Sequence, residues 1–341
     1  MPVLSNKILI SIIIPTLNSA SVIGQCLNSI KTQNIDQSKI EIIIIDGGST
    51  DNTLTIAQKF NCKIINNPLK TAEAGKATGI KHATGTYVAL IDSDNILPTK
   101  SWLKKMLIPF SNNLVIGTEP WQYTYRPHAG YIERYSALTG VNDPYSLITN
   151  NYDRKNYIRP NWNGLNIKTK NYKNYQLFKL TSSDKIPSIG ANGTIYRRSI
   201  FNSYHSDYLI DVDLLNSILV KTKELFFAKV KCGIIHSYCE SSINKFIKKQ
   251  NRRVIDLYIY QNQRPKHIIS SQIQNNIKFS LYVVLILPML FDTFYGYYKK
   301  PDIAWFFHPF ACIITLFVYG KNTILYRLKL LKPQSRSRWS Q

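Results

Sequence analysis

Tyr87-Val88-Ala89-Leu90-Ile91-Asp92-Ser93-Asp94-Asn95 is a short apolar, partly β-branched run that breaks off into two carboxylates spaced i and i+2. Read as a buried strand ending in Asp-Ser-Asp, it carries two acidic side chains to one edge of a sheet. Their hard oxygens suit Mg²⁺ or Mn²⁺, and through the ion a phosphate group. Asp, Ser and Asn are also ordinary turn residues, so the stretch has to be read with its neighbours.

Upstream, residues 8–14 form a near-continuous β-branched run stopped by Pro15, which suits a central strand buried on both faces. Asn18 or Ser19 can cap a helix in which Val22, Ile23, Leu27 and Ile30 recur at helical spacing. A second strand over 40–45 ends in Asp46-Gly47-Gly48-Ser49-Thr50-Asp51, and a helix over 53–60, a short strand over 62–65 and a helix over 72–82 lead on to the Asp-Ser-Asp strand. Strand and helix alternating with short connections predict an α/β fold: a Rossmann-like, doubly wound, mainly parallel sheet with helices on both faces. In such sheets ligands gather at the carboxyl ends of the strands. Those ends are Pro15-Thr16-Leu17-Asn18, Asp46 and Asp92-Ser93-Asp94, so three polar clusters converge on one edge.

These residues also carry a resemblance. Residues 14–18, the run Asp46-Gly47-Gly48-Ser49-Thr50-Asp51, Ala74-Gly75-Lys76 and Asp92-Ser93-Asp94 resemble, in order, the signature of family 2 inverting glycosyltransferases, which have the GT-A fold. The resemblance implies that Pro15, Thr16, Asn18, Asp46 and Gly48 hold the nucleoside of a nucleotide sugar, with Asp46 reading the base. It implies that Asp92, with Ser93, and Asp94 hold the ribose and a metal-bound diphosphate, the metal being Mg²⁺ or Mn²⁺. Lys76 stands where relatives carry a basic residue near the nucleotide, and is otherwise a solvated helix residue. Further on, Ser188-Ile189-Gly190-Ala191-Asn192-Gly193 matches a turn that the family sets against the sugar, which implicates Gly190 and Asn192. An acidic pattern in Ile210-Asp211-Val212-Asp213 places the catalytic base at Asp211, with Asp213 as the alternative; Ile210 replaces the family's first acid, and either Asp can also serve as a helix cap. His236, at the end of a strand over 226–235, is a metal or diphosphate contact in some relatives and otherwise a core histidine.

The intervening region 118–185 is rich in Tyr, Asn and Lys. Helical periodicity over 131–138 is followed by loops, and the region is expected to form an acceptor platform whose aromatic residues either stack on sugars or simply pack. A two-faced helix over 243–260 sets Ile243, Phe246, Ile247, Val254, Leu257 and Tyr258 opposite Lys245, Lys248, Lys249, Arg252 and Arg253. It is expected either to lie on anionic lipid or to clamp a pyrophosphate. Two apolar stretches, 279–298 and 303–320, flank Lys299-Lys300-Pro301-Asp302, each about the roughly twenty residues that cross a hydrocarbon core. Pro288, Asp292, His308 and Pro309 interrupt them, which leaves a transmembrane hairpin, a re-entrant one and a soluble helical cap as readings.

The expected organisation is a catalytic domain over 1–240 (nucleotide-sugar half 1–117, acceptor and base half 118–240), a basic helix and linker over 241–270, and a membrane-associated tail over 271–341. The formal charge of +23 over 341 residues calls for an anionic partner. Its basic residues cluster around the apolar tail and no nucleic-acid motif is present, so lipid is expected and nucleic acid is not. The five cysteines show no metal or disulfide spacing, which suits a reduced compartment, and the N-terminal run lacks a signal peptide's pattern. Together these predict an inverting, metal-dependent transferase at the cytoplasmic membrane face. It would move sugar from a UDP- or GDP-linked donor to a glycan or polyprenyl-linked acceptor. The alternatives are an inactive membrane-bound glycan-binding scaffold and a sugar-1-phosphate nucleotidyltransferase.

Overall fold

The computed structural model describes residues 7–165, 167–182, 184, 186–202, 207–259 and 272–332. In chain order its first elements are β1 (Ile10–Thr16), α1 (Ala20–Lys31), β2 (Ile40–Asp46), α2 (Thr53–Gln58), β3 (Lys63–Asn66), α3 (Ala72–His82), β4 (Tyr87–Leu90), β5 (Asn95–Ile96), α4 (Trp102–Leu107) and β6 (Val115–Tyr123). Then come α5 (Tyr131–Thr139), α6 (Pro144–Ile148), β7 (Thr169–Asn171), β8 (Tyr175–Thr181), β9 (Thr194–Arg197), α7 (Asp211–Thr222) and β10 (Glu224–His236). The chain continues with α8 (Ile243–Ile259), α9 (Gln272–Val284), α10 (Leu287–Lys299) and α11 (Phe307–Arg327). The described residues fall into two compact units, one drawn from Met1–Thr124 and Ile167–Ser237, the other from Tyr125–Asn166 and Tyr238–Ser335. The stretch expected as one acceptor and base half, 118–240, is therefore shared between the two.

The first unit is a sheet in the order β3-β2-β1-β4-β9-β6-β10-β8-β7, with β5 paired to β10. β3, β2, β1 and β4 run parallel, as the alternation predicts. Beyond β4 the sheet is mixed, because β9 pairs antiparallel with both β4 and β6, and β8 runs antiparallel to β10. The parallel strands are apolar on both faces: Ile10, Ile12, Ile13, Ile14, Ile43, Ile44 and Ile45 are all fully buried. Such runs have no polar face to present to water and are stable only between helical layers. α3 meets β1 closely at Gly79, where a Cβ would come within 2.4 Å of the Ile13 side chain.

The second unit is helical. Its core includes Ile132, Tyr135, Leu138, Leu147, Phe246, Phe279, Met289, Trp305, Phe307 and Cys312. Trp162 and Tyr152 are buried too, so in this region these aromatic residues pack rather than present a stacking surface. α8 buries Phe246, Gln250, Val254 and Ile255, whereas Ile243 and Ile247 are exposed. Its apolar stripe is thus narrower than the sequence suggests, and it faces the unit's own core. The stretch 279–298 is not one helix: α9 and α10 meet at a bend of 78°. Ile303–Arg327 is the one described helix long and apolar enough to cross a membrane, by length and composition. The linker beyond Ile259 and the tail beyond Lys332 lie outside the described residues.

Candidate active site

The carboxyl ends of β1, β2 and β4 lie side by side because the register pairs Thr16 with Asp46 and Ile13 with Leu90. Asp46 is buried and already saturated. Its carboxylate accepts hydrogen bonds from the Thr16 hydroxyl (3.2 Å), the Ser49 hydroxyl (2.5 Å) and the amides of Gly48 and Ser49 (both 2.8 Å). Four donors use about the whole acceptor capacity of a carboxylate. In this state Asp46 shapes the turn, with Gly48 at φ +90° as a side chain would rarely allow. Asn18, itself at φ +49°, ties the first turn to the second: its amide donates to the Ser49 hydroxyl (2.9 Å) and its Oδ1 accepts from the Thr50 amide (2.7 Å).

Asp51 completes this lattice, accepting from the Ala20 amide (3.0 Å), the Thr53 amide (3.0 Å) and the Thr53 hydroxyl (2.5 Å). Burial pushes its carboxyl up, but these hydrogen bonds outweigh that and hold it below the usual range.

The Asp-Ser-Asp turn is built by Asn95, which is fully buried. Its Oδ1 accepts from the Asp92 amide (3.0 Å), and its Nδ2 donates to Asn192 Oδ1 (3.0 Å). Asn192 in turn donates to the Tyr123 hydroxyl (3.3 Å). The Gly190-Ala191-Asn192-Gly193 turn arrives here because β9 pairs antiparallel with β4, opposing Leu90 to Thr194, and the Gly193 amide donates to Leu90 O (3.0 Å). Gly193 sits at φ +83°, and a Cβ there would fall 2.6 Å from Ile234. Asn95 and Tyr123 escape sequence reasoning; the one signal was that Asn95 directly follows the carboxylates.

β5 pairs with β10 so that Asn95 opposes His236. This places His236 Nε2 3.3 Å from Asp94 Oδ2, with the imidazole side chain 6% exposed and the carboxylate 19%. The Tyr123 ring stands 5.5 Å from the imidazole, centroid to centroid. His236 is therefore a partner of the second carboxylate rather than an isolated core residue. Ser93 joins the cluster through a 3.0 Å hydrogen bond to Ser19. Among the described residues no three His, Cys, Asp or Glu side chains converge as a ready-made metal cage, so Asp92 does not complete a triad with Asp94 and His236. The pair fits a divalent ion all the same: one carboxylate oxygen and one imidazole nitrogen leave most of an octahedral shell for phosphate oxygens and water. Burial, with Asp94 and Asp92 adding to it, pushes the neighbouring Cys26 thiol far up, which keeps it protonated and inert.

Lys76 is buried at 4% exposure, which removes the solvated-helix reading. Its helix reaches the site because Gly75 approaches Pro15, where a Cβ would lie 3.0 Å from the proline ring. The same segment receives the chain ahead of α7: the Leu209 amide donates to Glu73 O (3.1 Å) and the Tyr208 hydroxyl to Glu73 Oε2 (3.4 Å). α7 then begins at Asp211, whose side chain lies outside what is described, and Asp213 is buried one step inside the helix. The chain leading into α7 is thus tied to the start of α3.

The basic residues of α8 belong to the second unit. Arg253 is engaged with Asp143 (3.6 Å) and with Gln250 Oε1 (2.8 Å), and Lys249 sits over the Tyr238 ring at 4.6 Å. Lys248 is exposed and Arg252 half-buried.

A sheet edge that gathers a hydrogen-bonded Asp turn, an Asp-Ser-Asp turn and a histidine can hold a metal-bound phosphate at the ends of its strands. The chain belongs to glycosyl transferase family 2, whose sequence model matches residues 11–204. Glycosyltransferase AglE of Haloferax volcanii is 30% identical over 151 residues, which is 42% of this chain and 49% of AglE. Poly(ribitol-phosphate) beta-N-acetylglucosaminyltransferase TarS of Staphylococcus aureus is 33% identical over 93 residues, 26% of this chain and 16% of TarS. The matched region thus spans half or less of these relatives. Mannosyltransferase PcManGT from Pyrobaculum calidifontis, solved in complex with GDP-Man and Mn²⁺, superposes with a TM-score of 0.53 at 13% identity, covering 92% of this chain and 87% of its own. The fold is GT-A.

Proposed function

We propose that this protein is an inverting glycosyltransferase that moves a sugar from a UDP- or GDP-linked donor to a hydroxyl or phosphate acceptor, lipid-linked, at the cytoplasmic face of a membrane. The observation that carries the reading is the Asp94–His236 pair, set by the β5–β10 register at the edge where Asp46, Asp92 and the 190–193 turn also end. PcManGT, of the same fold, holds a nucleotide sugar and Mn²⁺.

In this reading Asp94 and His236 hold Mg²⁺ or Mn²⁺, which when bound offsets charge growing on the departing diphosphate. Asp92 takes the ribose, and the Thr16–Asn18 and Asp46–Ser49 turns frame the nucleoside. Lys76, buried on α3, is read as the cation that meets the nucleotide. The Gly190 and Asn192 turn borders the sugar, and Asn192 is kept in orientation by Asn95 and Tyr123. An acceptor hydroxyl is a weak nucleophile at neutral pH, so a carboxylate must take its proton as the bond to the anomeric carbon forms. Asp211 fills that role, with Asp213 as the alternative. A single in-line displacement inverts the anomeric centre, with no sugar attached to the protein at any stage.

The lipid-linked acceptor draws support from the apolar tail and the positive charge. A panel of UDP- and GDP-sugars with Mn²⁺ and a polyprenyl phosphate, read as nucleotide release, tests the function. One donor should turn over and should fail with Asp94→Asn. Release from no donor, with the folded wild-type protein binding none of them, would refute the reading.

A further inference from the structure

In the second unit two polar groups of the tail are buried beside the apolar core, while α9 and α10 also carry apolar side chains on their outer faces. Asp292 and His308, which interrupt the apolar tail, are 5% and 0% exposed. Arg159 holds Asp292 through two hydrogen bonds (3.1 and 2.8 Å), and the Tyr282 hydroxyl bridges Asp292 (2.9 Å) and His308 (2.8 Å). The opposite faces carry apolar stripes at helical spacing. On α9, Ile277, Leu281 and Val284 are 56%, 54% and 68% exposed, and on α10 Phe291 and Phe294 are 67% and 58% exposed. At the bend, Leu285 and Leu287 stand 60% and 75% exposed. Scattered surface leucines are ordinary, but two adjoining helices and their bend with contiguous outward apolar residues are not a water-facing surface.

We propose that this face docks in the plane of one leaflet of an anionic bilayer, with the bend between α9 and α10 as its deepest point and no helix crossing. α9 and α10 are 13 residues each, about 20 Å at the usual rise and short of a core about 30 Å thick. α11 is long enough, but α8 lies along it from end to end. Phe246 meets Phe307 at 5.4 Å, Asn251 meets Asn322 at 2.7 Å, and Tyr258 stacks on Tyr326 at 4.5 Å. Since α8 exposes Lys245 and Lys248, hydrocarbon cannot surround that pair, and α11 lies with one side to lipid and the other to α8. Exposed Lys278, Lys299, Lys321 and Arg327 on the same helices match anionic headgroups in charge. The docking deepens the membrane part of the proposed function, and it can be read without donor or turnover.

The experiment is flotation of the full-length protein with vesicles of phosphatidylcholine, with and without phosphatidylglycerol, comparing wild type with the double variant Leu285→Glu, Leu287→Glu. Both positions are exposed, so the variant should keep the wild-type circular dichroism and nucleotide binding. Wild type should float with the anionic vesicles, and the variant's bound fraction should fall at least tenfold. A Lys299→Cys variant, mapped by mass spectrometry, should react with an impermeant maleimide added outside sealed vesicles, whereas a crossing hairpin would shield it. Equal flotation of the double variant, or shielding of position 299, would overturn the proposal. So would a wild type that ignores vesicles and forms a dimer that the double variant dissolves, since a second copy would then cover the face. Flotation without nucleotide release would leave the docking standing and count against the catalytic reading alone.

Discussion

Removing the Asn95 amide should loosen the catalytic edge more than any comparably small change. Asn95→Ala deletes two hydrogen bonds of 3.0 Å, one from the Asp92 amide and one to Asn192 Oδ1, at a fully buried position. Each such loss, where the partner is left without a replacement, costs about 1–3 kcal/mol, so the folded state should weaken by about 2–6 kcal/mol. Urea denaturation of the variant should show this as a lower midpoint with an unchanged slope. Because Asn95 also fixes where Asp94 stands against His236, the Mn²⁺ concentration for half-maximal nucleotide release should rise by about tenfold, the usual scale for a partner that orients a metal ligand. Asn95→Asp separates the two bonds: it keeps an acceptor for the Asp92 amide but has no donor for Asn192. At this fully buried position its second oxygen faces Asn192 Oδ1, acceptor against acceptor, so that variant should regain none of the stability and little of the metal response. If Asn95→Ala lost under about 0.5 kcal/mol and kept the wild-type metal dependence, Asn95 would not be organising the site.

Three further outcomes follow from the geometry. Lys229 and Glu119 form an ion pair with both side chains fully buried between β10 and β6; Lys229→Met alone should cost about 3–5 kcal/mol, and Lys229→Met with Glu119→Leu should regain most of it in the same denaturation assay. Glu41 accepts from Ser11, from the Thr84 amide (2.6 Å) and hydroxyl (2.8 Å) and from the Gly85 amide (3.3 Å). Burial pushes its carboxyl up, yet these bonds hold it below its ordinary value. A depressed folded value stabilises above the unfolded value of about 4.3, so Glu41→Gln should lower the urea midpoint at neutral pH, a difference that vanishes as the pH drops through the folded value. Asp143 caps α6 through the Tyr145 amide (3.0 Å) and accepts from the Tyr319 hydroxyl (2.6 Å) beside Arg253; Asp143→Ala should cost about 2–4 kcal/mol, read as a lower melting temperature.

The parallel half of the sheet and its three polar strand ends were legible because period-two and period-3.6 patterns are local and the turn residues are chemically marked. β7 and β8 were not, since the run after Asn150 is polar and takes its strand form from pairing with β10, a partner far along the chain. The same non-locality hid the Asp94–His236 pair, which depends on the two-residue strand β5, and hid Asn95, whose role appears only when Asn192 arrives from β9. The sequence leaves Lys76 open between a nucleotide contact and a solvated helix residue, and its burial depends on Gly75 and Gly79, which let the helix sink against β1. In the tail, hydropathy found the apolar stretches, but whether Asp292 and His308 face lipid or protein depended on Arg159 and Tyr135, which no window around the tail contains.

The most direct measurement is donor binding and turnover on one variant, Asp211→Asn, with Asp213→Asn alongside it. If Asp211 removes the acceptor's proton, Asp211→Asn should bind the nucleotide sugar in the presence of Mn²⁺ as tightly as wild type and release nucleotide at least about a hundredfold more slowly, while Asp213→Asn keeps most of the rate. Wild-type turnover by Asp211→Asn would contradict the account; a loss confined to Asp213→Asn would move the base one step into α7.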